Sequence, residues 1–345
     1  MSGLLDIVQP GIATTVQDSG RVGHRHHGMP LSGWLDGPLA QAANALLGNP
    51  LDHAVLELRG MGTVLRVKAG PVRVALTGRI SATCLRTDGG RSTLPAWHSA
   101  TLQEGDRLHL GSADSGSAYL AVAGGLLVPP QLGSRSSYWR AGLPGVLGRA
   151  LRPGDELPCG AWTLTDPREW RCRTPWTAGD GPVRVLLGPQ HDHFSVETIA
   201  QLLSQDWEAT AAQDRMGLRL LGEPLRHIHA AAADIVSDGV APGAIQVPAS
   251  GQPMVLLADG QTVGGYPKIA TVISADLPRL AHLRPGTRVR FESVNLETAH
   301  RALLSERDRW QRWLTTLETY LPPGTVDETA LYGANLISGV LHATP

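Results

Sequence analysis

The chain is almost without lysine: Lys68 and Lys268 are the only two, and arginine supplies the rest of the 30 basic residues. Against 31 acidic residues the formal charge is -1, so there is no cationic stripe of the kind that grips a nucleic-acid backbone or an anionic membrane. Cysteine is scarce too. Cys84, Cys159 and Cys172 form no CxxC pair and no even framework, which excludes a disulfide scaffold and fits a reducing compartment. No apolar run approaches the roughly 20 residues of a membrane span. The chain does not open on a basic region followed by an apolar core, so no signal peptide is expected and the expected location is cytoplasmic. A P-loop, a strand–GxGxxG–helix unit and a GxSxG elbow are all missing.

What is present is glycine (40) and proline (25), spread along 345 residues. That favours many short strands and turns over a helical bundle, in a chain long enough for two or three domains. The most informative stretch is Asp259-Gly260-Gln261-Thr262-Val263-Gly264-Gly265-Tyr266-Pro267-Lys268, between the strand-like runs Pro253–Ala258 and Ile269–Ile273. A carboxylate, an amide, a hydroxyl, a phenol and an amine stand there beside a Gly-Gly pair, which admits positive φ or a close approach of the backbone to a ligand. A solvated hairpin is the plainer reading; a binding loop held by buried strands is the one pursued.

Along the chain, Leu4–Val8 reads as a first strand, followed by a polar loop through Thr14–Arg21 and Gly28–Gly33. Asp36-Gly37-Pro38 opens a helix that Gly48-Asn49 closes. Ala54–Leu58, Gly70–Leu76 and Ala118–Val122 are strand-like. The sequence Gly70-Pro71-Val72-Arg73-Val74 returns as Gly181-Pro182-Val183-Arg184-Val185. The turn before Arg107–Leu110 also recurs, at 152–157 and 284–291, so two related barrel-like units are expected. Residues 166–180 read as a linker. Helices are expected over about 194–203 and 275–283, the latter capped by Ser274. A single long helix is expected over 295–321, with Leu303, Trp310, Leu314, Leu317 and Leu321 on one stripe that packs onto the body.

His24, His26 and His27, like the pairs His191/His193 and His227/His229, lack the spacing of a zinc site, and no metal is assigned. Asp18 and Asp36, or Asp214 and Asp259, are possible acid–base pairs. Arg215, flanked by Asp214 and close to Arg219, reads either as a carboxylate or phosphate fork or as a local salt bridge. Read from composition alone, this is a mostly β protein whose polar loops suit a small polar ligand.

Several of these segments resemble one known family. They are Thr14-Thr15-Val16-Gln17-Asp18-x-Gly20-Arg21, Ser32-Gly33-x-x-Asp36, Leu132-Gly133-Ser134-Arg135-Ser136, Gly188-Pro189-Gln190, Asp214-Arg215-Met216-Gly217, Ile245-Gln246-Val247-Pro248 and the loop from Asp259 to Pro267. Together they resemble the KipA/PxpC family: the C subunit of bacterial 5-oxoprolinase, also called allophanate hydrolase subunit 2, related to the carboxyltransferase region of urea amidolyase. The resemblance runs in order over about residues 4–292.

It implies a mainly β fold with a few helices: two cyclophilin-like β-barrel units, set here at 1–176 and 177–292, while the tail lies outside the resemblance and is assigned from its own helical pattern as an extension over 293–345. It implies a hydrolase subunit that, with a KipI/PxpB-like partner and a third lactam-hydrolase subunit, cleaves 5-oxoproline to glutamate, with ATP bound at the level of the complex. The alternatives are a carboxyltransferase half acting on urea or a small amide, with biotin carried by another protein, and a regulatory subunit that sequesters a KipI-like kinase inhibitor. The family pattern departs here at Val263, Gln213 and Gly142-Leu143-Pro144-Gly145.

The expected site gathers Asp18, Asp36, Asp214, Gln261 and Tyr266 around one cleft. Asp18 or Asp214 is the expected base or orienting carboxylate, with Gln261 and Lys268 as the other catalytic candidates. Lys268 either stabilises an oxyanion or, as a surface lysine, solvates a strand end. Gln17, Arg21, Asp36, Arg215, Gln246, Thr262, Gly264, Gly265 and Tyr266 are the expected substrate contacts, Arg215 holding an anionic group and Asp36 equally explained as a helix cap.

Overall fold

A computed structural model describes residues 2–113, 116–163, 168–322 and 325–326. The fold is mainly β. In the first half a six-stranded sheet runs in the order Glu156–Ala161, Ser2–Pro10, Thr63–Ala69, Arg107–Leu110, Ser81–Leu85, Arg91–Pro95. A seven-stranded sheet runs Ala13–Gln17, Val55–Arg59, Ala118–Val122, Val72–Thr77, His98–Leu102, Glu169–Cys172, Leu317–Tyr320. Leu5, Ile7, Leu56, Leu65, Leu76, Leu102 and Leu108 fill the space between them.

The seven-stranded sheet is buried on both faces, and strand periodicity shows how. Side chains alternate across a strand. Ala118, Leu120 and Val122 therefore face the core between the sheets, while Tyr119 and Ala121 face the helix Gly37–Ala45. This explains why the run is apolar without interruption.

The second half is an eight-stranded sheet in the order Arg288–Val289, Trp207–Gln213, Gly217–Leu221, Met254–Leu256, Ala244–Gln246, Lys268–Val272, Val183–Leu187, Phe291–Ser293. Its two outermost strands are separated in the chain by Arg290 alone, so the sheet curls almost into a closed barrel. Trp207, Leu218, Ile245, Val255, Ile269 and Phe291 form its core. The sequence echo has a structural counterpart: Val72–Thr77 and Val183–Leu187 are both strands, and each places an arginine against a carboxylate. Arg73 meets Glu169 at 3.3 Å and Arg184 meets Asp276 at 2.7 Å.

Helix ends differ from expectation in two places. Asp276, not Ser274, precedes the short helix Leu277–Leu280, and its carboxylate accepts from Arg184 instead of capping the helix. The long helix, capped by Asn295, runs Leu296–Leu314 and stops short of Leu321. Leu317–Tyr320 is instead an edge strand antiparallel to Glu169–Cys172. A β-branched pair, Thr315-Thr316, interrupts the stripe, and the Thr316 hydroxyl donates back to the Trp313 carbonyl as the helix ends. The helix lies against the first half through Trp310 and Trp313, which stack at 4.8 Å, with Trp176 edge-on to Trp310 at 5.2 Å. Residues 327–345 of the expected extension lie outside the described residues.

Candidate functional site

A cleft of two lobes lies where the halves meet. One lobe, of about 320 Å³, is lined by Ala13, Thr15 and Arg59 from strands of the first half, Tyr138 and Arg140 from the following loop, and Asp259. The other, of about 470 Å³, reaches Arg219 and Gln261. Arg140, Gln213, Asp214 and Met216 border both.

Three expected residues hold the walls rather than face the space. The Asp18 carboxylate accepts from the Gly20 amide (2.9 Å), the Ser134 and Ser136 hydroxyls (2.5 and 2.6 Å) and the Arg135 amide (2.5 Å). A carboxylate met by four donors is a clamp that fixes the 132–137 segment, not a free base. Gln17 is fully buried beneath the wall and donates to Thr15 at 3.0 Å. Arg21 is also fully buried; one guanidinium nitrogen reaches the Ser136 carbonyl, while Nε and Nη1 have no partner. Burial lowers the Arg21 pKa, and Asp18 and Asp259 oppose that shift.

Arg215 lines the cleft but is committed elsewhere. It donates to both oxygens of Asp259 (2.9 and 3.1 Å), to Glu57 Oε1 at 2.6 Å and to the Gly33 carbonyl at 2.5 Å. Burial pulls its pKa down, and Glu57 and Asp259 more than reverse this, leaving it raised. The salt-bridge reading of Arg215 therefore holds, across the two halves rather than locally.

Glu57 is fully buried and also accepts from the Leu35 amide and the Tyr119 hydroxyl, at 2.9 and 2.8 Å. Tyr119 Oη in turn accepts from the Asp36 amide at 2.8 Å; burial first, then Glu57 and Asp36, raise the Tyr119 pKa. Asp36 caps the Gly37–Ala45 helix through Leu39 N (3.0 Å) and meets His282 Nε2 at 2.7 Å. It borders neither lobe, so the capping reading is the correct one. Glu57 is not among the expected residues, although an acid inside the apolar run Val55-Leu56-Glu57-Leu58 is a signal for a buried ion pair.

The remaining expected residues gather at a second, adjoining patch joined to the cleft by Gln261. Gln261 Nε2 donates to Gln246 Oε1 at 3.3 Å, and Gln246 Nε2 to the Tyr266 carbonyl at 3.5 Å. Gly264 is not in the left-handed region; a Cβ there would lie 3.0 Å from the amide nitrogens of both glutamines. At Gly265 a Cβ would lie 3.0 Å from the Ile235 carbonyl, a tight approach to backbone. The Thr262 carbonyl accepts from Val240 at 2.9 Å, and Tyr266 is exposed.

Lys268 is not a surface residue: it is 2% exposed, and its Nζ donates to Asp238 Oδ2 at 2.9 Å. Gln190 bridges the pair, accepting from the Lys268 amide (3.2 Å) and donating to Asp238 (3.3 Å). The Lys268 contact, the Gly239 amide and Gln190 hold the Asp238 carboxyl below its usual range. Asp214 sits on the cleft rim, exposed, its Oδ1 accepting from the Met216 amide at 2.7 Å. Asp214 thus borders the cleft, whereas Asp18 borders neither lobe. Among the described residues no group of three histidine, cysteine or acidic side chains is placed to hold a metal.

Residues 27–293 match the family described as carboxyltransferase domain, subdomain A and B. Over 316 residues the chain is 37% identical to the 5-oxoprolinase C subunit of Escherichia coli (strain K12), covering 91% of this chain and 97% of that protein. It is 28% identical over 331 residues to the urea amidolyase of Lachancea kluyveri, 85% of this chain but 17% of that one. The structure of the Kluyveromyces lactis urea carboxylase superposes with a TM-score of 0.78 at 25% identity, over 90% of this chain and 29% of that chain.

Proposed function

The chain belongs to the carboxyltransferase family of subdomains A and B, and on that premise we propose that it is the C subunit of an ATP-dependent 5-oxoprolinase. The observation that carries this reading is the match along 97% of the length of the Escherichia coli protein. Lactam opening adds water across the C–N bond: the carbonyl carbon gains an oxygen and the ring nitrogen a proton, giving glutamate. The patch at Gln261 supplies what such a carbonyl needs. Gln261 Nε2 carries two N–H groups and commits one to Gln246, and in the same patch the buried Lys268 ammonium pairs with the exposed carboxylate of Asp238. Lysine is almost never fully buried, so Lys268, buried in a polar patch, is a functional candidate.

ATP is assigned to the complex and not to this chain. The sequence has no P-loop, and the one other lysine, Lys68, pairs with Glu156 on the surface. In this reading, as the family resemblance implies, a KipI/PxpB-like subunit and a lactam-hydrolase subunit are the partners.

Co-expression with both partners and assay of ATP-dependent glutamate release from 5-oxoproline tests the reading. Lys268→Met is expected to lower turnover at least tenfold, since one electrostatic donor at a developing oxyanion is worth roughly 3 kcal/mol. An assembled complex that releases no glutamate would defeat the proposal. The second reading, carboxyl transfer to urea from biotin carried on another protein, is favoured by the urea carboxylase superposition. Urea-dependent consumption of carboxybiotin by the same complex would establish it instead.

A further inference from the structure

Four arginines border the cleft, and they are not alike. Arg215 is saturated by Glu57, Asp259 and the Gly33 carbonyl. Arg59, Arg140 and Arg219 pair with no carboxylate among the described residues. Asp259 is neutralised by Arg215, so among the described lining residues Asp214 is the one uncompensated acid against three uncompensated cations.

Arg59 is the most telling. It ends the strand Val55–Arg59, and its Nη1 is buried without any hydrogen-bond partner. That nitrogen is closed to the cleft, but the half-buried Arg59 side chain lines the lobe, where no described carboxylate meets its charge. Arg140 borders the same 320 Å³ lobe, whose volume suits a small molecule.

We propose that Arg59 and Arg140 form an oxyanion clamp, and that in the 5-oxoprolinase reading, on which this rests, they hold the substrate's carboxylate while its lactam extends past Gln213 and Asp214 toward Gln261 in the adjoining lobe. The planar guanidinium fork matches a carboxylate in two-pronged geometry. Urea and simple lactams carry no such group, so the clamp is a specificity device: it selects an amide that bears an acid. A phosphoryl group of ATP offers the same oxyanion chemistry, and the experiment separates the two sources.

The full chain, alone and in the assembled complex, is titrated with 5-oxoproline, with 2-pyrrolidinone (the same lactam without the carboxylate) and with a non-hydrolysable ATP analogue. The expected result is binding of 5-oxoproline weakened at least tenfold by Arg59→Met, little binding of 2-pyrrolidinone, and an unchanged affinity for the ATP analogue. In the complex, KM for 5-oxoproline should rise and KM for ATP should not. Arg140→Ala, at an exposed position, gives the same test should Arg59→Met fold poorly, and Arg59→Lys should recover part of the loss.

Equal binding of 5-oxoproline and 2-pyrrolidinone overturns the clamp, as does loss of the ATP analogue in place of the lactam acid. Failure of 5-oxoproline to bind in either form overturns it too. A complex that binds 5-oxoproline through Arg59 yet never releases glutamate would retain the clamp and reject the activity.

Discussion

Replacing Glu57 with alanine is expected to destabilise the protein without touching the cleft surface. The carboxylate accepts three hydrogen bonds, from Arg215 at 2.6 Å, the Leu35 amide at 2.9 Å and the Tyr119 hydroxyl at 2.8 Å, and is fully buried. Removing one partner of a buried ion pair costs about 3–5 kcal/mol, because the other charge is left uncompensated. Here Asp259 still accepts from Arg215 at 2.9 Å, which places the loss toward about 3 kcal/mol. At about 2.1 cal/mol/K per residue, 345 residues give an unfolding entropy near 0.7 kcal/mol/K. The melting temperature should then fall by about 4 °C, and by no more than about 7 °C. Glu57→Gln should fall between the two, since it keeps an acceptor for Arg215 but turns an NH2 toward the Leu35 amide. Calorimetry on variants with native circular dichroism measures this. A midpoint within about 1 °C of the parent would refute the claim that the Glu57–Arg215 pair ties the halves together.

Asp18→Asn should lower stability by about 2–3 kcal/mol, since the charged acceptor at the centre of four donors is lost. It should also speed amide exchange over 132–140; lost turnover with unchanged stability and exchange would restore Asp18 as a base. Asp238 has a depressed pKa, so its pairing with Lys268 is fully present above the ordinary carboxylate range and is lost as pH falls through the lowered value. Carboxyl NMR titration of the parent and of Lys268→Met should show the Asp238 midpoint move up in the variant; an unmoved midpoint would deny the contact. Burial drives the Cys159 thiol up to about 12 and raises Cys84 also, and all three cysteines are buried. The native chain should therefore resist a thiol reagent at pH 8 and react with it only on unfolding, a rapid native reaction being the contrary result.

Much of the framework is legible because burial writes a local pattern. The run Ala118–Val122, the cap at Asp36 with Pro38 behind it, and the repeated Gly-Pro-Val-Arg-Val each read correctly from neighbours in the chain. The pairing of Glu57 with Arg215 is not legible in the same way, since 158 residues separate them and no period reports the contact. Arg215 stands out as a candidate, but the sequence offers Asp214 next door as its acid. Lys268 follows a proline and a loop and so suggests the surface; the glutamine-lined sheet beneath it is visible only in three dimensions. At Thr315-Thr316 the stripe of leucines continues the helical count while the chain changes to a strand, because an unpaired sheet edge outweighs a local periodicity.

That last strand sets a timetable for synthesis. Arg171 and its partner Glu318 are 147 residues apart, with the whole second barrel between them. At about 5–20 residues per second a ribosome needs roughly 7–30 s to cover that interval. Throughout it the strand Glu169–Cys172 presents an unpaired edge, the kind of surface on which nascent chains mispair. Arg171 and Glu169 on that edge are charged, which blunts it while it waits. A ribosome stalled after the second barrel would hold a first half whose outermost position is still vacant.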